Sequence, residues 1–292
     1  MACVQFREIN FRAATRQLIS QCNTIIARYE SAGLRLTLRQ LYYQLVSANV
    51  IPNVEKSYKN LGKTISEARL AGLVDWDAIE DRVRRPSRPG EFSSLQALAR
   101  AALASWRLPR WADQPAYAEL WVEKDALSGV LEPLSDEFHV TLMVNRGYSS
   151  QSAMYESAQR FIGRGEGKPC HLLYLGDHDP SGEDMVRDVR DRLEMFGVED
   201  LTVTKIALTM DQVEHYNPPP NPAKMTDSRA EAYVAEHGNS SWEVDALPPD
   251  VLQQLIRTAL EEIVDAELMT SCIEREERLG AQFRTAVEKI KG

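Results

Sequence analysis

The sequence predicts an α/β protein in which a helical amino-terminal domain precedes a mostly parallel sheet flanked by helices. The chain has 292 residues with 43% hydrophobic content, a length that favours two domains and allows a substantial core. From about Pro115, short apolar runs alternate with segments of helical periodicity, which is typical of a parallel sheet. We therefore divide the chain into an amino-terminal domain (1–90), a linker helix (91–114) and a sheet domain with carboxyl-terminal helices (115–292).

The amino-terminal domain shows three helical segments. Apolar periodicity predicts the first over residues 10–31, Thr37 is placed to cap a second over 38–49, and the third is predicted from Glu55 to Leu70. Residues 73–85 follow as a strand-turn-strand wing. This order resembles a winged helix-turn-helix of the CAP type, whose recognition helix lies in the DNA major groove. The predicted DNA contacts on the third helix are Lys56, Lys59, Lys63 and Arg69.

The charge of the chain is unevenly distributed. Residues 1–112 carry 17 Lys and Arg against 9 Asp and Glu, whereas the remaining 180 residues carry 17 against 34. The basic part is suited to approach a polyanion. The acidic part is not, unless a metal ion bridges its carboxylates to the polyanion. The asymmetry favours double-stranded DNA as a partner, although a solvated basic face would give the same count.

Composition also excludes some classes. The sequence has no run of about 18 apolar residues, so no membrane span is expected, and its first residues lack the apolar region of a secretory signal. The four cysteines are scattered, without the spacing of a zinc site. We expect a protein of the reducing cytoplasm, associated with the nucleoid.

Carboxylates follow two of the predicted strands. Glu123 comes after the strand Glu119–Val122, and Asp177 and Asp179 come after the strand Leu172–Leu175. Ligands of such sheets bind beyond the carboxyl ends of the strands, and three hard oxygen donors suit Mg²⁺, or alternatively Mn²⁺. Asp179 followed by proline is also typical of an ordinary helix start, and Asp177 of a turn.

The second helix offers two tyrosines. Its predicted buried stripe comprises Leu38, Leu41, Tyr42 and Leu45. Tyr43 lies off that stripe, one turn beyond Arg39, so phenol and guanidinium are predicted to share an exposed face. A phenol with a pKa of about 10 is a poor nucleophile at neutral pH. A fixed cation would favour the phenolate and bind a phosphate, but Tyr43 could also simply rim the core.

These motifs carry a family resemblance. A strand ending in Glu123, and a later one ending in Asp177-x-Asp179-Pro-x-Gly, resemble a Toprim domain. With the segment TLRQLYY (37–43), the chain from about Leu34 to Leu247 is similar to the A subunit of topoisomerase VI and its meiotic double-strand-break relatives. Gln40 departs from the Asp that the family commonly has there.

The resemblance implies a function. Tyr43 would form a 5′-phosphotyrosyl bond with DNA, Arg39 would stabilise the transition state, and Glu123, Asp177 and Asp179 would bind Mg²⁺. In the family, the tyrosine and the metal site of one centre come from different subunits of a homodimer. The sequence has no GxxxxGK[ST] loop, so topoisomerase activity would require a separate ATPase subunit. We interpret Glu243 and Asp245, in the segment WEVDAL, as structural.

Two other functions fit the same residues. A metal-dependent nuclease would use the three acids to activate water, with Tyr43 incidental. A non-catalytic DNA-binding protein would retain the same residues as scaffold. Loss of cleavage in Tyr43→Phe separates the transesterase from the nuclease, and binding without cleavage identifies the third class.

Overall fold

The computed structural model describes residues 3–79, 89–145, 149–223 and 229–288. The three predicted amino-terminal helices are confirmed as α1 (Ala13–Ser31), α2 (Leu38–Ser47) and α3 (Glu55–Leu70). Thr37 begins α2 in a capping box: its Oγ1 accepts from the Gln40 amide at 3.2 Å, and the Gln40 side chain accepts from the Thr37 amide at 2.8 Å. Gln40 therefore has a local structural role.

Gly62 brings α2 and α3 together. The helix α3 runs through this glycine without a break. A Cβ atom at position 62 would lie 3.2 Å from Leu38 Cδ2, so the missing side chain allows α3 to approach the first turn of α2.

The predicted wing is not seen as a pair of strands where the structure describes it. Residues 73–79 form turns, and Ile79 makes a single parallel bridge to Leu36. The remainder of the predicted wing, residues 80–85, lies outside the described residues.

The second part of the chain begins with α4 (Leu95–Ser105), a helix within the segment predicted as a linker helix. The sheet that follows contains β1 (Tyr117–Val122), β2 (Thr141–Val144), β3 (Cys170–Leu175) and β4 (Leu201–Ala207), in the order β2-β1-β3-β4. All three pairings are parallel. The α/β fold class and the strands predicted from apolar runs are confirmed.

Helices follow the strands as the alternating pattern predicts. They are α5 (Ser128–Phe138), α6 (Gln151–Arg164), α7 (Pro180–Met195), α8 (Met210–Tyr216), α9 (Ala230–His237), α10 (Pro249–Glu261) and α11 (Ala266–Val287). Of these, α5, α7 and α10 pack against the sheet. A short antiparallel pair, β5 (Asn221–Pro222) and β6 (Ser240–Ser241), lies between them. A 3₁₀ turn over Val244–Ala246 precedes α10.

The core has two clusters that meet at this turn. Trp121 and Tyr174 of the inner strands are fully buried in the sheet cluster, and Leu41 and Leu61 in the helical cluster. Ala246 belongs to the helical cluster although it lies some 200 residues after α2 in the sequence. The 244–246 turn therefore packs the helical part onto the sheet part. Throughout the described ranges, no helix is both long and apolar enough to cross a membrane.

Candidate active site

The predicted acids leave the sheet at the carboxyl-terminal ends of its two inner strands. Strands β1 and β3 are neighbours, with Val122 opposite Leu175, so Glu123 and the segment 177–179 leave the sheet side by side. The Asp177 amide donates to Glu123 Oε2 at 3.2 Å. The strand pairing on which the predicted convergence depends is thus present.

The turn between β3 and α7 holds both aspartates. Asp179 caps α7, since its Oδ1 accepts from the amides of Ser181 at 3.1 Å and Gly182 at 2.7 Å, and Pro180 is the first helical residue. The helix-start interpretation of this motif is therefore right for Asp179. A Cβ atom on Gly182 would lie 2.2 Å from the Asp177 carbonyl oxygen, so the turn requires glycine at this position.

Lys124 supplies a cation that the sequence analysis did not identify. Its Nζ lies 2.8 Å from Asp177 Oδ1, 2.8 Å from Glu243 Oε2 and 3.0 Å from Asp245 Oδ1. Burial alone would lower the pKa of this ammonium, but Asp245 and Asp177 raise it above its ordinary value. Its position next to Glu123 was the only sequence signal for this role.

Arg39 reaches the same carboxylates from the tyrosine helix. Its guanidinium is ion-paired with Glu243, and its Nε lies 2.9 Å from Asp245 Oδ2. The Asp245 side chain is 0% exposed and is shared by Arg39 and Lys124. Glu243 and Asp245 thus contact both the catalytic candidate Arg39 and the cation Lys124.

Tyr43 is buried, contrary to the prediction of an exposed face. Only 4% of the residue is accessible, because the 244–246 turn packs against the side of α2 that the helical period had left open. The tyrosine nevertheless borders a cleft of about 320 Å³. The cleft is lined by Arg39, Tyr42, Tyr43, Asn53, Glu55, Tyr58, Asp177, Asp179, Asn221, Pro222, Ser241, Trp242 and Glu243.

The Tyr43 phenol is held in its protonated form. Burial and the neighbouring Asp245 raise its pKa above the ordinary value, and Arg39, Asn221 and Lys124 only partly offset this increase. Arg39 acts in the expected direction, since it lowers the pKa of Tyr43, but burial and Asp245 outweigh its effect. The Arg39 Cζ atom lies 5.8 Å from the centre of the Tyr43 ring.

Tyr42 is a core residue, as predicted. It is 5% exposed, and its hydroxyl donates to Asn53 Oδ1 at 2.9 Å. Its ring packs edge-on against Tyr43 with centroids 5.3 Å apart. Tyr42 therefore supports the position of Tyr43.

Asn221, in β5, links the parts of the cleft. Its side chain lowers the pKa of Tyr43 and donates to Glu243 Oε1 at 3.4 Å. The Asn53 amide group donates to Asn221 Oδ1 at 3.0 Å and to the Pro220 carbonyl at 2.8 Å. Nothing in the local sequence pattern had indicated this residue.

The acids offer the oxygen donors that Mg²⁺ prefers. Burial, followed by the charge of Asp177, raises the pKa of Glu123, and burial also raises that of Asp177. A divalent cation would relieve this crowding, so the donor chemistry fits the metal. Among the residues described, however, no three carboxylate, imidazole or thiol side chains are grouped for metal binding; Lys124 pairs with Asp177, and Asp179 caps α7.

The predicted DNA contacts divide into two kinds. Lys56, Lys59 and Lys63 are exposed on α3, with Lys59 and Lys63 in exposed pairs with acids one turn away. Arg69 instead donates to the Ile79 carbonyl at 2.6 Å and lies over Trp76, so its guanidinium is engaged by the chain's own loop.

Comparison with known proteins does not identify a family for this chain. No protein-family model matches it, and no curated protein matches it either.

Proposed function

We propose that the protein cleaves DNA by tyrosine transesterification, in the manner of the topoisomerase VI A subunit. The observation that carries this proposal is that Tyr43, Arg39, Asp177 and Asp179 line one cleft. A phenol, a guanidinium and two carboxylates at a sheet edge are the groups that phosphoryl transfer to a tyrosine needs. The corresponding architecture would be a CAP-like winged helix-turn-helix followed by a Toprim domain.

In this reaction the Tyr43 oxygen bonds to a backbone phosphorus while the bond from phosphorus to the 3′-oxygen breaks. Tyr43 loses its proton, and the departing 3′-oxygen gains one. Burial and Asp245 raise the pKa of Tyr43, so the reaction needs donors that stabilise the negative charge of the tyrosine oxygen and of the phosphate. Arg39 borders the cleft and would donate to the phosphate oxygens.

Glu123, Asp177 and Asp179 would hold Mg²⁺, or Mn²⁺ in its place. The ion would supply electrostatic stabilisation to the phosphate. The chain's own residues fix the acids. Gly182 permits the turn that carries both aspartates, and the Val244 amide donates to Asp177 Oδ1 at 2.9 Å.

The proposed partner is double-stranded DNA, approached by Lys56, Lys59 and Lys63 of α3. A homodimer would present two centres to opposite strands, and a separate ATPase subunit would be needed for strand passage. The corresponding location is the cytoplasm, at the nucleoid.

A water-using, metal-dependent nuclease is the second candidate. The observation that favours it is the burial of Tyr43 and the raised pKa of its phenol, because a nuclease does not require a tyrosine nucleophile. The acids would then activate water, and Tyr43 would be a packing residue.

Supercoiled plasmid separates these functions. The protein is incubated with plasmid and Mg²⁺ or Mn²⁺, the reaction is stopped with detergent, and the products are resolved with and without proteinase K. The transesterase leaves protein on the 5′ ends, and Tyr43→Phe removes both cleavage and attachment. Tyr155→Phe is the matched control and retains attachment, because Tyr155 is 51% exposed on α6 and lies outside the cleft lining. Free ends that persist in Tyr43→Phe would establish the nuclease.

A further inference from the structure

His178 lies between the two aspartates and points away from them. Asp177 and Asp179 line the cleft beside Tyr43, whereas His178 is 2% exposed and lines a second cleft of about 580 Å³. Successive side chains of an extended segment leave it on opposite faces, and His178 makes an antiparallel bridge to Trp242. The position of both carboxylates therefore depends on what holds the residue between them.

The His178 ring is enclosed by three aromatic rings. Its centroid lies 5.5 Å from that of Tyr233, 4.8 Å from that of His237 and 5.9 Å from that of Trp242, which are ordinary separations for packed rings. Tyr233 and His237 belong to α9. This helix therefore packs directly behind the turn that carries the aspartates.

The Tyr233 hydroxyl contacts both the ring and the main chain of His178. It donates to the carbonyl oxygens of His178 at 2.9 Å and Ser240 at 3.1 Å, and it lies 2.8 Å from His178 Nδ1. Tyr233 and His178 are both buried, so removal of the hydroxyl leaves a buried polar group unsatisfied. The hydroxyl thus ties α9 to the centre of the Asp-His-Asp segment.

Two other elements hold the same main chain. The His178 amide donates to the Trp242 carbonyl at 2.8 Å, and the Trp242 amide donates back to the His178 carbonyl at 2.9 Å. Lys205 Nζ, from β4, donates to the Asp177 carbonyl at 2.8 Å. The two residues that precede Asp179 are therefore bonded to segments distant in the sequence, and Tyr233 adds a contact to the side chain as well.

We propose that Tyr233 is a positioning residue for the acids: through His178, its hydroxyl holds the Asp177 and Asp179 carboxylates in the arrangement that binds a divalent cation. Tyr233 touches neither the metal nor the DNA in this role. The inference rests on the proposed function for the metal, and it concerns the acids of one chain, whichever subunit supplies the tyrosine nucleophile. The helix α9 thereby acts on a cleft that its residues do not line.

Metal binding in the absence of DNA tests the inference. Tyr233→Phe removes the hydroxyl and keeps the ring, and electron paramagnetic resonance measures free Mn²⁺ as the metal is titrated into the protein. We expect the Mn²⁺ dissociation constant to rise by at least about tenfold, the usual effect of losing a contact that orients a metal ligand. Asp177→Asn identifies binding at the acids. Tyr155→Phe, at an exposed tyrosine of α6, is the matched control and should keep the wild-type constant.

A tyrosine with only a packing role would behave differently. Its replacement would lower the free energy of unfolding, measured in urea, and leave the Mn²⁺ constant of the folded protein unchanged; that result overturns the inference. Saturating Mn²⁺ should return DNA attachment by Tyr233→Phe to near the wild-type rate, because the binding energy of the ion offsets the lost contact. If Tyr233→Phe does not fold, His178→Phe, which keeps an aromatic ring and removes Nδ1, is judged by the same criterion.

Hydrogen exchange of the metal-free chain separates this inference from the proposed function. Loss of the hydroxyl should speed amide exchange in a peptide spanning residues 177–183 about fivefold, the effect of one lost hydrogen bond on local opening, with no change in Tyr155→Phe. If Asp177→Asn binds Mn²⁺ as tightly as the wild-type chain does, the proposed metal role fails, and faster exchange at the turn still supports positioning by Tyr233. Unchanged exchange there overturns the inference.

Discussion

Lys124 Nζ lies 2.8 Å from Asp177 Oδ1, so the acidic edge of the sheet carries its own cation. The ammonium also contacts Glu243 and Asp245, and it thereby neutralises part of a carboxylate cluster that would otherwise repel itself. This relationship determines what removal of the lysine, or addition of a metal, should do.

Replacing Lys124 by methionine should destabilise the protein by about 3–5 kcal/mol, because it leaves the buried Asp177 without its partner cation and Asp245 with Arg39 alone. Denaturant unfolding in the absence of divalent ions measures this change. Lys56→Met removes an exposed lysine and should change the free energy of unfolding by less than about 0.5 kcal/mol.

Mg²⁺ should restore stability to Lys124→Met more than to the wild-type chain, since acids freed from the ammonium are available to a cation. An ion present at 100 times its dissociation constant adds about 2.7 kcal/mol. Titration of the melting temperature with Mg²⁺ checks this, and an equal response of the two chains would contradict the metal assignment.

The rate of covalent attachment should rise with pH across the neutral range. Burial and Asp245 raise the pKa of Tyr43, so the phenolate fraction grows about tenfold per pH unit until that pKa is reached. Asn221→Ala removes a side chain that lowers the pKa of Tyr43 and should slow attachment at each pH while the slope is kept. Single-turnover rates from pH 6 to 9 measure this; a flat profile would show that deprotonation of Tyr43 does not limit the rate.

The same shift has a consequence for stability. A group whose pKa is raised in the folded state stabilises that state below its unfolded pKa, about 10 for tyrosine. The contribution of Tyr43 is therefore complete at neutral pH and is lost as pH rises through the raised folded value. Comparison with Tyr43→Phe above pH 10 isolates this contribution.

Gly182→Ala should abolish cleavage and destabilise the protein by about 1–3 kcal/mol, the usual range for overpacking. Its new Cβ would lie 2.2 Å from the Asp177 carbonyl oxygen, so the turn that carries both aspartates must move. Gly163→Ala is the matched control, because nothing lies within 4 Å of a Cβ at that position of α6. Plasmid cleavage and urea unfolding of both variants check the prediction, and a fully active Gly182→Ala would contradict it.

Removing Lys56, Lys59 and Lys63 together should weaken DNA binding uniformly across sequences. Each lysine that contacts a phosphate contributes about 0.9 to the slope of log K against log salt, so the slope should fall by up to about 2.7. Binding titrations between 50 and 200 mM salt measure it. The control removes Arg275, Arg278 and Arg284, which are exposed on α11; an equal loss there would show that only total charge matters.

Local patterns in the sequence account for the strands, the helices and the places where acids leave the sheet. Apolar runs of strand length, alternating with helical periodicity, are local signals, and parallel strands necessarily bring their carboxyl ends to one edge. Glu123 and Asp177 could therefore be expected at the same end of the sheet, and the pairing of β1 with β3 brings them side by side. The Thr37 cap and the Pro180 helix start are equally local, since each depends on residues within one turn.

The environment of these groups, in contrast, depends on tertiary packing. Tyr43 was expected on an exposed face because the helical period describes one buried stripe, but the 244–246 turn covers a second side of α2. Arg39 and Glu243 are 204 residues apart, and no periodicity relates charges at that separation. The burial of a side chain depends on what packs against its helix, and an ion pair depends on which chain segments meet. The protonated phenol of Tyr43 and the shared Asp245 carboxylate therefore follow from packing alone.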